Sequence, residues 1–310
     1  MVTEDWFENK GVLLEGPVDA SRFGDLKVGQ RREARVRRPY SITADILAFR
    51  RCSRQYGVFA VRGYVPAQAT QLYFGVVIHE VLDRAHRQYR GLIEGRPQGV
   101  PSDKDVKEYF EAVTEALRAR GIRPYSRKAE ESAYEYLRRF NSRYGPELYP
   151  RVKDTEHKLK ADMKDFYLHG VVDVLARSGD ETRPGDMEIW DYKGSHKVDD
   201  DSEEIQNYRF QMQVYAELYR RKNGAYPARA VLCFLGEEDL EEMLVEVPFD
   251  DNSTARAMKV FTDTVKEIER RRDMNDWTPP KHMPSRETCG ACDIRWDCPT
   301  AEKEFPLKFP

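Results

Sequence analysis

Between residues 158 and 193 the chain steps between apolar and polar side chains with a period near two. The segments KLKADMKDFYLH, GVVDVLAR and MEIWDYKG therefore predict strands. The loop at 178–186, SGDETRPGD, is a turn between the last two. ARAVLCFLG and EEMLVEVPF predict two more strands. Elsewhere the apolar period lengthens to that of a helix. Ser41 is placed to cap a helix running through Ile46, Leu47 and Phe49 to Cys52. A second helix is predicted from Pro66 to about Tyr89. A third opens at Ser102, with Asp105 completing an approximate capping box, and runs to Gly121. A fourth, at about 127–144, is amphipathic through Tyr134, Leu137 and Phe140. A long helix follows at about 203–222, and Asn252 or Ser253 caps a last one reaching about Arg272. Residues 1–30 show no clear period, and after Asp276 the chain turns Pro-rich and irregular.

This mixture predicts an α/β fold. Its 310 residues suit one large domain or two ordinary ones, and 40% hydrophobic residues are enough for a sizeable core. No apolar run approaches the length of a membrane span. The start, MVTEDWFENK, lacks a charged-then-apolar leader pattern, which points to a reducing cytoplasm and to cysteines kept as thiols. Lys and Arg number 51 against 54 Asp and Glu, for a net charge of −3. That balance excludes a uniformly basic nucleic-acid binder but not a local basic patch. Between 27 and 62 lie Lys27, Arg31, Arg32, Arg35, Arg37, Arg38, Arg50, Arg51, Arg54 and Arg62, opposed in sequence only by Glu33 and Asp45. This run reads as an anion-facing surface.

Three cysteines gather near the end: Cys289-Gly-Ala-Cys292, then Cys298 before Pro299. The two-residue gap lets both thiolates reach one metal around a tight turn. Tetrahedral closure needs a fourth ligand. His282 would make a local Cys3His zinc knuckle; Cys52, in the cationic setting FRRCSRQYG, would come from far away. Cys233, in VLCFLG, reads as a buried core thiol. Softness alone does not separate zinc from an iron–sulfur cluster.

The second chemical signal is Trp190-Asp191-Tyr192-Lys193. On a strand Asp191 and Lys193 share one face, and Trp190 and Tyr192 take the other. Antiparallel pairing across the 178–186 turn brings Asp173 close to Asp191. Two adjacent carboxylates repel unless a cation lies between them, and hard oxygen ligands suit Mg²⁺ or Mn²⁺. A neighbouring lysine can activate water or stabilise charge on phosphorus, which is phosphodiester hydrolysis chemistry. Glu188 could also face the site, though it lies one position out of phase with Asp191. His79, with Asp83 and His86 on its helix face, and the pair Gln211 and Tyr215 at i, i+4 could equally be ordinary helix residues.

In chain order the pieces are Cys52, Gly75-x3-His79, Gly170-Val-Val-Asp173, Asp191-Tyr-Lys193, Gln211-x3-Tyr215 and Cys289-x2-Cys292-x5-Cys298-Pro299. This order resembles the RecB-like branch of the PD-(D/E)xK nucleases, in particular its iron–sulfur members such as CRISPR adaptation nucleases and AddB-type exonuclease subunits. The resemblance covers about 41–300. It implies a restriction-endonuclease-like core, a small mixed sheet flanked by helices, as a single domain over 41–300. Residues 1–40 would be a lead and 301–310 a tail. The helices at 102–146 would be an insertion, and a cysteine clasp would occupy 277–300. It further implies a [4Fe–4S] cluster on Cys52, Cys289, Cys292 and Cys298, which would displace His282. His79, Asp173, Asp191 and the main-chain carbonyl of Tyr192 would bind Mg²⁺ or Mn²⁺. Lys193 would act on the attacking water, and Gln211 and Tyr215 would hold the DNA strand. Arg50, Arg51, Arg54 and a base-stacking Tyr56 would extend the DNA path. The expected activity is exonucleolytic cleavage of single-stranded DNA or DNA ends in repair, recombination, CRISPR adaptation or phage defence. Unwinding would need a separate helicase or other repair or defence protein. The alternatives are a non-catalytic DNA-end or assembly module built on the same fold, and a zinc-stabilised binding protein.

Overall fold

A computed structural model describes residues 37–64, 70–179, 185–281, 284–290 and 292–298. The strands are β1 (Pro39–Ser41), β2 (Val152–Asp162), β3 (Tyr167–Arg177), β4 (Met187–Lys193), β5 (Arg229–Phe234) and β6 (Leu244–Glu246). The long helices are α1 (Thr70–Tyr89), α2 (Asp103–Ala119), α3 (Arg127–Arg143), α4 (Glu203–Asn223) and α5 (Asp251–Met274). Short helical turns, Ile42–Leu47, Ala48–Arg51, Ser53–Tyr56 and Gly57–Val61, follow β1.

Most element starts obey local chemistry. The Ser41 hydroxyl accepts from the Ala44 amide, and Ser102 and Asp105 form a reciprocal capping box. The last long helix differs from expectation: Asp250 caps it, and Ser253 returns the bond from inside the first turn. The expected strand EEMLVEVPF shortens to Leu244–Glu246, because Asp239 caps a helical turn, Leu240–Met243, that takes its first half. A tight turn splits KLKADMKDFYLH, with Lys164 in the left-handed region at φ 69°. Its last residues continue into GVVDVLAR as β3. Pro39 and Tyr40, assigned by the sequence to the lead, belong to the sheet.

β3 organises that sheet. β2 runs antiparallel along one edge, pairing Asp162 with Tyr167 at one end and Val152 with Ala176 at the other. The opposite edge is shared by two strands. β1 pairs in parallel with Tyr167, Leu168 and His169, while β4 pairs antiparallel with Val174 to Arg177. Gly170 to Asp173 lie between these partners, so the edge is open there. β5 pairs in parallel with β4 after the α4 crossover, and β6 closes the series antiparallel to β5.

Each sheet face carries its own core. Leu168, Val172, Ile189, Leu232 and Phe234 pack with the helical turns, α4 and α5. Val174, Ala176, Trp190, Tyr192, Val231 and Cys233 pack with α1, α2 and α3. Phe110, Leu117, Leu137 and Phe140 fill this second core, so the expected insertion at 102–146 is the cover of one face. Cys233 is fully buried, as a core thiol should be. On β3 the alternation slips by one residue: Val172 joins the first core and Val174 the second. Opposite the slip, Glu156 of β2 takes φ 50°, outside the ordinary strand region.

His86 of α1 is 1% exposed, wedged against the Tyr149 ring, and its Nε2 lies 3.0 Å from the Tyr192 hydroxyl. Burial, with the Arg90 charge adding to it, pushes this imidazole down to about 3. The unfolded chain takes up a proton here below about pH 6.5, whereas the folded chain resists it until about pH 3. Stability therefore falls as pH drops through that window, by at most about 1.4 kcal/mol per unit from this group. Urea titrations from pH 7 to 4 should show a shallower acid loss for His86→Gln than for wild type.

Candidate active site

The open edge of β3 is where the sequence-singled carboxylates meet. In the β3–β4 register Asp173 stands across from Asp191, one step beyond the last pair, Val174 with Trp190. The ladder stops because the Asp173 side chain takes over: the Tyr192 amide donates to Asp173 Oδ2 at 2.6 Å. The Lys193 carbonyl accepts from the Leu235 amide at the end of neighbouring β5. By strand alternation the Tyr192 carbonyl therefore points away from β5, to the same side as its amide, into the opening. The Tyr192 ring lies in the core of the opposite face.

Asp191 is 4% exposed on the α4 face. Its Oδ1 accepts from Gln211 Nε2 at 2.8 Å, and its Oδ2 lies 2.5 Å from Lys193 Nζ. The ammonium sits 3.9 Å above the Tyr208 ring and 3.4 Å from Gln211 Oε1. Gln211 Nε2 also reaches the Tyr215 hydroxyl at 3.3 Å. Burial pushes the Asp191 carboxyl above its usual range, with the Asp173 charge adding to the shift and the Lys193 charge opposing it. From α1, His79 Nδ1 lies 3.1 Å from Asp173 Oδ1. Burial works against its charge, but Asp173 wins and raises the imidazole to about 9.

One cleft is lined by His79, Gly170, Val171, Asp173, Asp191, Lys193, Gln211 and Tyr215, together with Ser41, Thr43 and His169. A second opening shares His79, Val171 and Asp173 and continues past Gly75, Glu80, Asp83 and Glu156. Sequence reasoning missed Glu156, which sits in a polar strand without a motif, and Tyr208, one helical turn before Gln211. Glu188, fully buried, lies away from the site on the Trp190 face. Arg151 Nη2 holds it at 2.6 Å and Trp190 Nε1 at 2.9 Å.

The proposed DNA path needs correction. Tyr56 is buried against Phe49 and Trp277, with its hydroxyl donating to Asp45 at 2.8 Å, so it offers no face to a base. Arg54 reaches both the carbonyl and carboxylate of Asp297 at 2.6 Å. Arg37 pairs with Asp162, Arg38 with Glu269, and Arg62 with Asn275. Acids from remote elements thus pair with three of the six described cations of the run, Arg37, Arg38 and Arg54. Arg50, over the Phe210 ring, and Arg51 stay exposed. Lys27, Arg31, Arg32 and Arg35, the 301–310 tail and His282 lie outside the described residues.

Cys52, Cys289, Cys292 and Cys298 line one small pocket with Arg54, Gln55, Pro279, Pro280, Pro284, Ile294 and Arg295. Cys52 breaks the helical run, with φ −158° and ψ 107° between two turns. Several contacts dock the clasp. A Cβ on Gly57 would lie 2.2 Å from the Trp277 ring, so only glycine admits that ring. Ser53 Oγ donates to the Thr278 carbonyl at 2.8 Å.

Gly170 is likewise a matter of space: an added Cβ would lie 2.6 Å from Tyr215 Cε1. Gly170→Ala should destabilise the fold by about 1–3 kcal/mol, the usual cost of overpacking, and displace the Tyr215–Gln211–Asp191 chain. Urea unfolding of the variant checks the magnitude.

The chain was compared with known proteins. The model of the PD-(D/E)XK nuclease superfamily matches residues 44–299. Among solved structures, a crystal structure of a "putative exonuclease" from Eubacterium rectale is 14% identical, with a TM-score of 0.47, covering 87% of this chain and 89% of that one. No curated protein matches. With the family model spanning most of its length, this chain belongs to the PD-(D/E)XK nuclease superfamily.

Proposed function

We propose that the chain is a divalent-metal-dependent deoxyribonuclease that hydrolyses phosphodiester bonds in single-stranded DNA or at DNA ends. One observation carries the reading: Asp173 and Asp191 face each other where β3 and β4 part, with Lys193 against Asp191 and His79 against Asp173. The donor set suits Mg²⁺ or Mn²⁺. Two carboxylates converge in a buried place where each raises the other's cost of ionising. Asp191 Oδ2 lacks an aligned hydrogen bond despite its closeness to Lys193. His79, Asp173, Asp191 and the Tyr192 carbonyl would hold the cation, which when bound polarises phosphate and acidifies water.

The remaining roles belong to the chain. Lys193, fixed between Asp191 and the Tyr208 ring, is a preorganised cation beside the cleft. It orients the attacking water and stabilises charge growing on the phosphate oxygens. The water oxygen gives up a proton to solvent and forms the new bond to phosphorus, while the ester P–O bond breaks, its electrons leaving with the sugar oxygen, which takes a proton from solvent. Gln211 holds Asp191 in place and is itself steadied by Tyr215. Both are positioning residues, because at 4% and 3% exposure they support the site from within. Arg50 and Arg51 are the exposed cations that would meet the phosphate backbone.

The four-cysteine pocket supports a [4Fe–4S] cluster. Four thiols from two distant segments line one pocket, a donor set of soft ligands that such a core takes.

Asp191→Ala should reduce Mn²⁺-dependent digestion of end-labelled single- and double-stranded DNA by roughly 10²–10³-fold or more while DNA binding persists. Circular DNA in the same assay reports internal cutting. Cleavage at the wild-type rate would refute the assignment. Protein purified without oxygen should be brown with about four irons per chain, and Cys52→Ala should lose both. A colourless protein whose single zinc survives Cys52→Ala would instead favour a local zinc knuckle.

A further inference from the structure

We infer that Glu156 of β2 is a side-chain ligand of the divalent cation, sharing its coordination with His79 and Asp173. This rests on the metal-dependent reading above but adds a residue that no motif in the chain marks. Each of the three offers a ligand atom, and these atoms all lie within 4.8 Å of one another. They come from three elements: α1 supplies His79, β3 supplies Asp173, and β2 supplies Glu156, lying between the pairs Thr155–Val174 and His157–Val172 that flank Asp173.

The surrounding acids separate into committed and available ones. Asp83 is held by the Thr155 hydroxyl at 2.6 Å and by Arg87. Glu156 has no hydrogen bond or ion pair to the described residues, yet it lines the same opening as His79 and Asp173. In the adjoining cleft Asp191 keeps a buried oxygen without an aligned hydrogen bond. The pleat slip provides the aim: Thr155 turns toward α1 and His157 toward Lys222 of α4, with Glu156 at φ 50° between them. One nitrogen and two carboxylate oxygens leave room on Mg²⁺ or Mn²⁺ for water and a phosphate oxygen.

The probe is Mn²⁺ itself, followed by calorimetry and by electron paramagnetic resonance of the free ion, on the full chain without DNA. Glu156→Gln should weaken Mn²⁺ binding at least tenfold, with an unchanged melting temperature in its absence. Glu156→Gly relieves the positive φ; it should melt higher than wild type without metal and lose the Mn²⁺-induced rise. Mn²⁺ affinity within twofold of wild type in both variants would overturn the assignment. The two readings fail separately. If Glu156→Gln binds Mn²⁺ normally while Asp191→Ala loses cleavage, only the Glu156 role falls. If Asp191→Ala cuts normally while Glu156→Gln loses Mn²⁺, the catalytic assignment of Asp191 falls and the Glu156 role stands.

Discussion

At Asp173 a side chain does what a strand would otherwise do. The Tyr192 amide, next in line for the β3 ladder, is taken by the Asp173 carboxylate instead. A backbone amide cannot be left unpaired in a buried place, so this bond lets β4 leave β3 without an orphaned donor. The rest of the site follows from that departure. It opens the edge at Gly170 to Asp173, lets β1 pair farther along the same edge, and turns the Tyr192 carbonyl into the gap. It also binds the carboxylate that His79 faces, so opening the sheet and composing the site are one event.

The opposite wall rests on a buried ion pair, which is costly unless its remaining valences are met. Here they largely are. Gln211 gives one hydrogen to each of Asp191 and Tyr215, and the Tyr208 ring supports the Lys193 ammonium. The arrangement depends on α4 pressing on the sheet closely enough for Tyr215 to rest on Gly170. Packing density and electrostatics are therefore coupled: a methyl group in the wrong place moves a charge.

The strand alternation of Asp191 and Lys193 was legible because a period of two survives any tertiary context; Glu188, kept by the sequence as a further candidate, falls on the Trp190 face instead. The pairing of Asp173 with Asp191 was legible from a turn signal. The pairing of Arg37, Arg38 and Arg54 was not legible, since the acids that meet them, Asp162, Glu269 and Asp297, lie more than a hundred residues away in sequence. Tyr56 was misjudged for the same reason: Trp277, which buries it, arrives from the far end of the chain. Glu156 was invisible because its aim depends on a left-handed backbone residue inside a strand, a conformation that composition does not announce. EEMLVEVPF read as a longer strand because its apolar alternation is genuine, but an Asp cap ahead of it won the first turn.

The clasp also has a bearing on the order of events in folding. Ser53 and Thr278 are 225 residues apart, so their bond closes a very long loop. The entropic cost of closure grows only logarithmically, by about 0.6 kcal/mol per doubling of length, but such distant contacts are slow to find each other. Trp277 rests on Gly57, and thiols from residue 52 and from residues 289–298 line one pocket, so the integrity of that pocket reports that these two distant segments have met.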